Sequence, residues 1–152
     1  VGMAARSSGV DIDTRFDFND KWYTSLDVVK PFKATGDVHS RFKLRYKEIK
    51  QSMQIVKKLL DKLKEFRNEQ ILTNPNKTLA PNAFAISMTE GWRGEIVHIA
   101  LTGANGELLR YKMKDPSFNN WYMLAMAVRN NGVSDFPLCN KSFNLSYCGN
   151  DL

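Results

Sequence analysis

Five aspartates, Asp11, Asp13, Asp17, Asp20 and Asp27, fall within seventeen residues, the kind of oxygen-rich cluster that a hard cation such as calcium would take as ligands. A calcium loop, however, sets its ligands at alternate positions around a central glycine and closes on a glutamate, and no such register is present. Arg15, Lys21 and Lys30 stand among these aspartates, so the segment reads as charge balance. His39 and His98 lie too far apart in sequence to form a local metal-ligand pair, and the chain has no Cys-x-x-Cys pair, no Gly-x-Ser-x-Gly elbow and no phosphate loop. Two cysteines, Cys139 and Cys148, do not make a disulfide framework and fit a reducing, cytoplasmic setting. Cys139 reads as a small buried hydrophobe. On their own, these residues form no catalytic constellation.

The elements that position them are easier to read. With 152 residues, 43% hydrophobic and 25% charged, the chain has the make-up of one globular unit, 1–152. Its longest apolar runs, such as Met123 to Val128, fall well short of the roughly 18 to 20 residues a membrane-spanning helix needs, so a membrane role is peripheral or through partners. The start, Val1-Gly2-Met3, reads as loop, and Ser7 to Phe32 as irregular chain laid over a core. Phe42, Tyr46, Ile49, Met53, Val56, Leu60 and Leu63 recur at steps of three and four, which predicts an amphipathic helix from about His39 to Phe66. Asp37 or Ser40 caps its start, and Asn74-Pro75-Asn76 turns the chain after its end. Its apolar face needs a partner.

Much of the net charge of +6 comes from that helix, which carries ten Lys or Arg against three acids between Arg41 and Arg67. These cations read as a solvated face, or as a surface around Lys57, Lys58 and Lys62 that docks an acidic partner or lies near anionic lipid. Nucleic acid is excluded as a partner, since the aromatics do not interleave with the lysines as stacking platforms. Gly94 to Lys114 predicts a β-hairpin turning at Asn105-Gly106. After Asp115-Pro116, Ser117 caps a largely buried helix over Phe118 to Arg129 that ends at Gly132, with Met123, Leu124, Met126 and Ala127 in the core. From Val133 the chain reads as irregular. The sum is an α+β fold, mainly helical.

Three stretches resemble one family. They are Gly2-Met-Ala-Ala-Arg-Ser-Ser-Gly-Val-Asp-Ile-Asp-Thr-Arg15, followed by Gly36-Asp37-Val38 and the helix with Arg45, Glu48 and Gln51-Ser52; Glu90-Gly91-Trp92-Arg93-Gly94-Glu95 leading to His98; and Asp115-Pro116-Ser117-Phe118-Asn119-Asn120, running through Val133-Ser134-Asp135 to the tail. Together they are similar to the large subunits of formate hydrogenlyase and other energy-converting nickel-iron hydrogenases, and to the quinone-pocket (49 kDa-type) subunit of respiratory complex I. The resemblance implies the C-terminal half of such a subunit, with Leu152 falling where the family's mature chains stop.

Arg93 matches the arginine of the family's Glu-x-Pro-Arg-Gly pattern, which sits above the metal centre, although Trp92 replaces the proline. The resemblance leaves two roles for it: orienting a carboxylate, polar ligand or quinone head group, or closing a salt bridge with Glu90 or Glu95 at the start of the hairpin. Glu90, Arg93, Glu95, His98, Asp115 and Ser117 are thereby implied as cavity and outer-shell groups, His98 as a polar wall or packing residue. In metal-bearing members the tail reads Asp-Pro-Cys-x-x-Cys. Counted from Val133-Ser134-Asp135, Ser146 and Gly149 occupy those two ligand slots, with Cys148 one position off. Nickel is therefore not expected, and a serine hydroxyl is a poor substitute for a thiolate.

The leading implication is a large-subunit piece without metal, inactive alone. It would line a quinone or redox cavity in an NADH-linked electron-transport complex on the cytoplasmic side of the inner membrane. Its implied partners are the N-terminal half of the same subunit, an iron-sulfur small subunit and the other subunits of the complex. The alternatives are a non-catalytic scaffold subunit and a hydrogenase large subunit with atypical ligands.

Overall fold

The computed structural model describes residues 1–18, 23, 25–66 and 78–151; Asp20, Lys21, Arg67, the Asn74-Pro75-Asn76 turn and Leu152 lie outside them. In chain order, α1 is Gly2–Ser7, α2 Thr14–Asp17 and α3 Val38–Leu63, which a 3-10 turn extends through Lys64–Phe66. Strands β1 (Phe84–Gly91), β2 (Gly94–Thr102) and β3 (Leu108–Lys114) follow, then α4 (Ser117–Ala127), a 3-10 turn at Val133–Asp135, α5 (Phe136–Phe143) and α6 (Tyr147–Asn150).

The long helix begins one residue before the predicted start and ends with the predicted residue. Asp37 is extended and accepts a hydrogen bond from Ser40 N at 2.6 Å, so it caps the helix. The face by which α3 meets the rest of the chain is not the apolar stripe. Ser40, Arg41 and Leu44 are buried, Arg45 and Glu48 half-buried, while Phe42, Tyr46, Ile49, Met53, Val56, Leu60 and Leu63 all stay exposed. The stripe therefore finds no cover among the described residues, and two of the basic residues turn inward.

The predicted hairpin is the second half of a three-stranded antiparallel sheet, β1-β2-β3. At its 103–106 turn only Gly106 has positive φ, at 77°, and the register shifts by a bulge between Leu101 and Thr102. The strand not predicted, β1, pairs with β2 from Phe84↔Leu101 to Gly91↔Gly94, which leaves Trp92 and Arg93 as the whole connecting loop. Most of β1 is exposed, so it lacks the alternation of a half-buried strand.

Three more corrections concern ends. Val1-Gly2-Met3 opens a fully buried helix rather than a loop; Gly2 has φ +61°, and a Cβ on it would lie 2.2 Å from Gly94 Cα. Only glycine at both positions lets the two backbones touch. Ser117 does not cap α4. Its N–H donates to Asp115 Oδ1 at 2.7 Å, and its hydroxyl accepts from Ser146 N at 3.0 Å. The tail is helical rather than irregular, with Pro137 in the first turn of α5 and Asn144 closing it in the left-handed region. Ala4, Leu124, Cys139 and Phe143 form the core, with Trp121, Met123, Ala127, Val128 and Leu145 against it, whereas Met126 is exposed.

Candidate functional site

α1, α2, α3 and β1, with the short segment between α1 and α2, send charged side chains to a single point. Arg6, 1% exposed, donates from Nη1 to Glu90 Oε1 at 2.8 Å and to Ile12 O at 3.2 Å, and from Nη2 to Glu48 Oε1 at 2.6 Å; Asp13 Oδ2 lies 3.1 Å from Nη1. Arg15 forks onto Asp13 through Nε at 2.9 Å and Nη2 at 2.7 Å, and Glu90 Oε2 also accepts from Thr14 N at 3.2 Å. Bidentate forks of this kind fix orientation as well as charge. Three carboxylates thus meet two guanidiniums.

Burial on its own would disfavour the charges of Arg6, Asp13 and Arg15, yet their partners outweigh it. Arg6 is held above its ordinary pKa by Glu48, Glu90 and Asp13, and Arg15 above its own by Asp13, Glu48 and Glu90. Asp13 is held below the usual carboxylate range by Arg15 and Arg6. All three stay charged.

This network forms one end of a groove of about 710 Å³ whose other wall is the exposed stripe of α3, Ile49, Met53, Val56 and Leu60, with Trp92 at the rim. The arrangement suits an amphiphile with a polar head and a long apolar body. Arg15 Nη1 has no hydrogen-bond partner among the described residues, at the charged end of the groove.

Of the residues selected from the sequence, the structure brings Glu90 into this network. Glu95 stands opposite it in the strand register. Arg93 pairs with neither glutamate; its Nε donates to Asn144 O at 2.5 Å, and its own carbonyl accepts from Asn120 Nδ2 at 3.0 Å. His98 faces Tyr111, Nδ1 lying 2.5 Å from its hydroxyl. Ser117 holds the tail through Ser146 N, and Asp115 accepts from the Ser117 N–H. Arg6, Asp13, Arg15 and Glu48 lie in stretches that pointed to the family, but no spacing rule singled them out as a site, because separate elements bring them together. The charge-balance reading of the aspartates does hold for Asp13 with Arg15, for Lys30 with Asp11 and Asp17, and for Lys58 with Asp27.

The tail residues do not fit a metal. Ser146 Oγ is engaged in accepting the Gly149 N–H at 3.0 Å, and a Cβ at Gly149 would lie 2.5 Å from Asp115 Cγ, so a longer side chain there displaces the aspartate. Cys148 is exposed, and the described residues contain no group of three His, Cys, Asp or Glu placed to hold an ion.

Residues 1–83 match the family model described as Respiratory-chain NADH dehydrogenase, 49 Kd subunit. The chain belongs to this family. Among its relatives, Formate hydrogenlyase subunit 5 of Escherichia coli (strain K12) is 32% identical over 151 residues, covering 99% of this chain and 26% of that protein. An NADH-quinone oxidoreductase chain of Roseiflexus sp. (strain RS-1) is 29% identical over 141 residues, covering 89% of this chain and 38% of that protein. The chain therefore spans between a quarter and two fifths of the length of these relatives. The same fold occurs in a chain of the membrane-bound sulfane sulfur reductase, an archaeal respiratory membrane complex, with a TM-score of 0.82 at 20% identity over 100% of this chain and 42% of that one. The expected family and the α+β class are both borne out.

Proposed function

We propose that the chain forms the C-terminal half of the large subunit of a membrane-associated oxidoreductase complex, where it supplies one wall of a redox cavity that admits a quinone and holds no nickel. The observation that carries this reading is the groove, charged at the Arg6, Arg15, Glu48 and Glu90 end and apolar along α3. In this reading Arg15 donates to a quinone carbonyl, Glu48 and Glu90 hold the arginines in place, and the α3 stripe contacts the apolar tail.

The relatives named above support the quinone and the complex; the tail supports the absence of nickel, since Ser146 and Gly149 offer no thiolate. The rest of the groove wall then comes from the N-terminal half of the subunit, and electrons from an iron-sulfur subunit beside it. No described helix is long and apolar enough to cross a membrane, which is consistent with a peripheral seat. In this reading that seat is on the cytoplasmic side.

Elemental analysis of the purified parent subunit tests the metal: it should contain no stoichiometric nickel, and one nickel per subunit sinks that half of the reading. For the cavity, Arg15→Gln in the assembled complex should lower quinone reduction by about tenfold or more, the worth of one charge-assisted hydrogen bond, with assembly intact. A second reading, a scaffold, is favoured by the way Arg6 is surrounded by acceptors, which makes the cluster a brace between several elements. Unchanged turnover in Arg15→Gln would select the brace.

A further inference from the structure

A second group of arginines lies on the other side of Trp92. Arg41 is 2% exposed, stacks 4.2 Å from the Phe143 ring centroid, and donates to Ser142 Oγ at 2.8 Å and Gly36 O at 2.7 Å. Arg45 donates from Nη2 to Ser142 O at 2.8 Å and lies 5.4 Å from the Trp92 ring centroid. The Arg93 side chain is bound, among the described residues, only through Nε to Asn144 O. Among the described residues no carboxylate lies within ion-pair distance of any of the three. The nearest acids are already engaged, Asp37 in capping α3 and Glu48 in pairing with Arg6.

Positive charge taken out of water and given only neutral acceptors is costly, and it creates an attractive potential for an anion. Burial holds Arg41 and Arg45 below their ordinary pKa, with Arg45 adding to the depression of Arg41 and Arg93 to that of Arg45. Beside them opens a slot of about 440 Å³ between the start of α3 and α5. Its walls are Val38, Phe42, Trp92 and Leu138, and its cations Arg45 and Lys141. Phe42 and Leu138 are each 63% exposed.

We propose that this slot docks an acidic segment of a partner subunit, one carboxylate meeting Arg45 and Lys141 and an adjacent large apolar side chain filling the space between Phe42 and Leu138. A concave slot of this size admits inserted side chains, whereas a lipid surface needs a convex or flat basic face. Arg45 Nη1 has no partner among the described residues, so the planar fork is still able to receive a carboxylate. The proposal shares with the reading above only membership in a multi-subunit complex. It does not depend on quinone or on the absence of nickel.

The test is calorimetric titration of the full chain with a blocked hexapeptide carrying one glutamate between phenylalanine and leucine, with the same peptide carrying glutamine, and with phosphatidylglycerol vesicles. The glutamate peptide should bind about tenfold or more tightly than the glutamine peptide, and Lys141→Gln and Arg45→Gln should each remove most of that difference. Lys141 is exposed, so its variant keeps the test open where Arg45→Gln disturbs folding. Equal binding of the two peptides, binding to neither, or vesicle binding that Lys141→Gln abolishes in the absence of peptide selectivity would each overturn the proposal. Nickel in the parent subunit would leave this result untouched and overturn only the metal reading above.

Discussion

Arg6 and Arg41 are both almost fully buried arginines, one on α1 against α3 and one on α3 itself, yet they are partnered in opposite ways. Arg6 is surrounded by Glu48, Glu90 and Asp13, while Arg41 has a hydroxyl, a carbonyl and an aromatic ring. The first cluster pairs its cations with carboxylates and joins several elements of this chain. The second is left with positive charge to spare at the edge of an open slot. Cations met by carboxylates of the same chain are thus the mark of a brace or cavity floor, and cations with no paired carboxylate the mark of a surface awaiting its counter-ion.

Deleting the central cation of each cluster should show the difference most strongly. Arg6→Met strands buried carboxylates, and urea unfolding should report a loss of about 3 to 5 kcal/mol, the usual result of breaking a buried pair from one side. Arg41→Met strands no charge. It forfeits hydrogen bonds to Ser142 and Gly36 worth about 1.5 to 3 kcal/mol each, a large part of which the relief of an uncompensated buried cation offsets. Equal losses for the two variants would erase the distinction between the clusters.

Acid should also separate them. Asp13 in the folded chain titrates below its unfolded value, so the unfolded state binds more protons as pH falls. Its stabilisation is fully present above the unfolded carboxylate pKa of about 4 and is lost progressively as pH drops through the lower folded value. Unfolding followed between about pH 5 and pH 2 should show this decline, and Asp13→Asn should flatten it. Arg41→Met should leave the slope unchanged, since its cluster holds no paired carboxylate.

Much of the scaffold around these clusters could be read in the sequence. The three- and four-residue spacing from Phe42 to Leu63 marks α3 because a helix repeats about every 3.6 residues, and Asn105-Gly106 marks a turn because Gly106 takes positive φ. Which face of α3 meets this chain was not legible. The apolar stripe remains exposed and the buried face carries Arg41, Arg45 and Glu48, an arrangement that composition alone assigns to solvent. β1 was missed because most of its residues are exposed; α1 because six small or mixed residues carry no period; and α5 because eight residues give barely two turns, although Pro137 after Asp135 is a start signal. The candidate site was legible only at Glu90. Its partners come from α1, α2 and α3 and the segment between the first two, and sequence spacing carries no information about such convergence.

Trp92 offers the smallest and most selective probe, because it lines both cavities and stacks on Arg45 from a two-residue loop. It is 46% exposed, so Trp92→Ala should cost only about 0.5 to 1 kcal/mol in urea unfolding, the range of an exposed cation-π contact. The Arg6 network does not use Trp92, and the acid-dependent decline attributed to Asp13 should persist unaltered in the variant. Arg45, by contrast, loses the ring that holds it at the slot, and the preference for the glutamate peptide over its glutamine counterpart should fall by a few-fold. A variant that changed the acid profile and left peptide selectivity intact would show that Trp92 belongs to the carboxylate-paired cluster, and the boundary between the two regions would have to be redrawn on the other side of it.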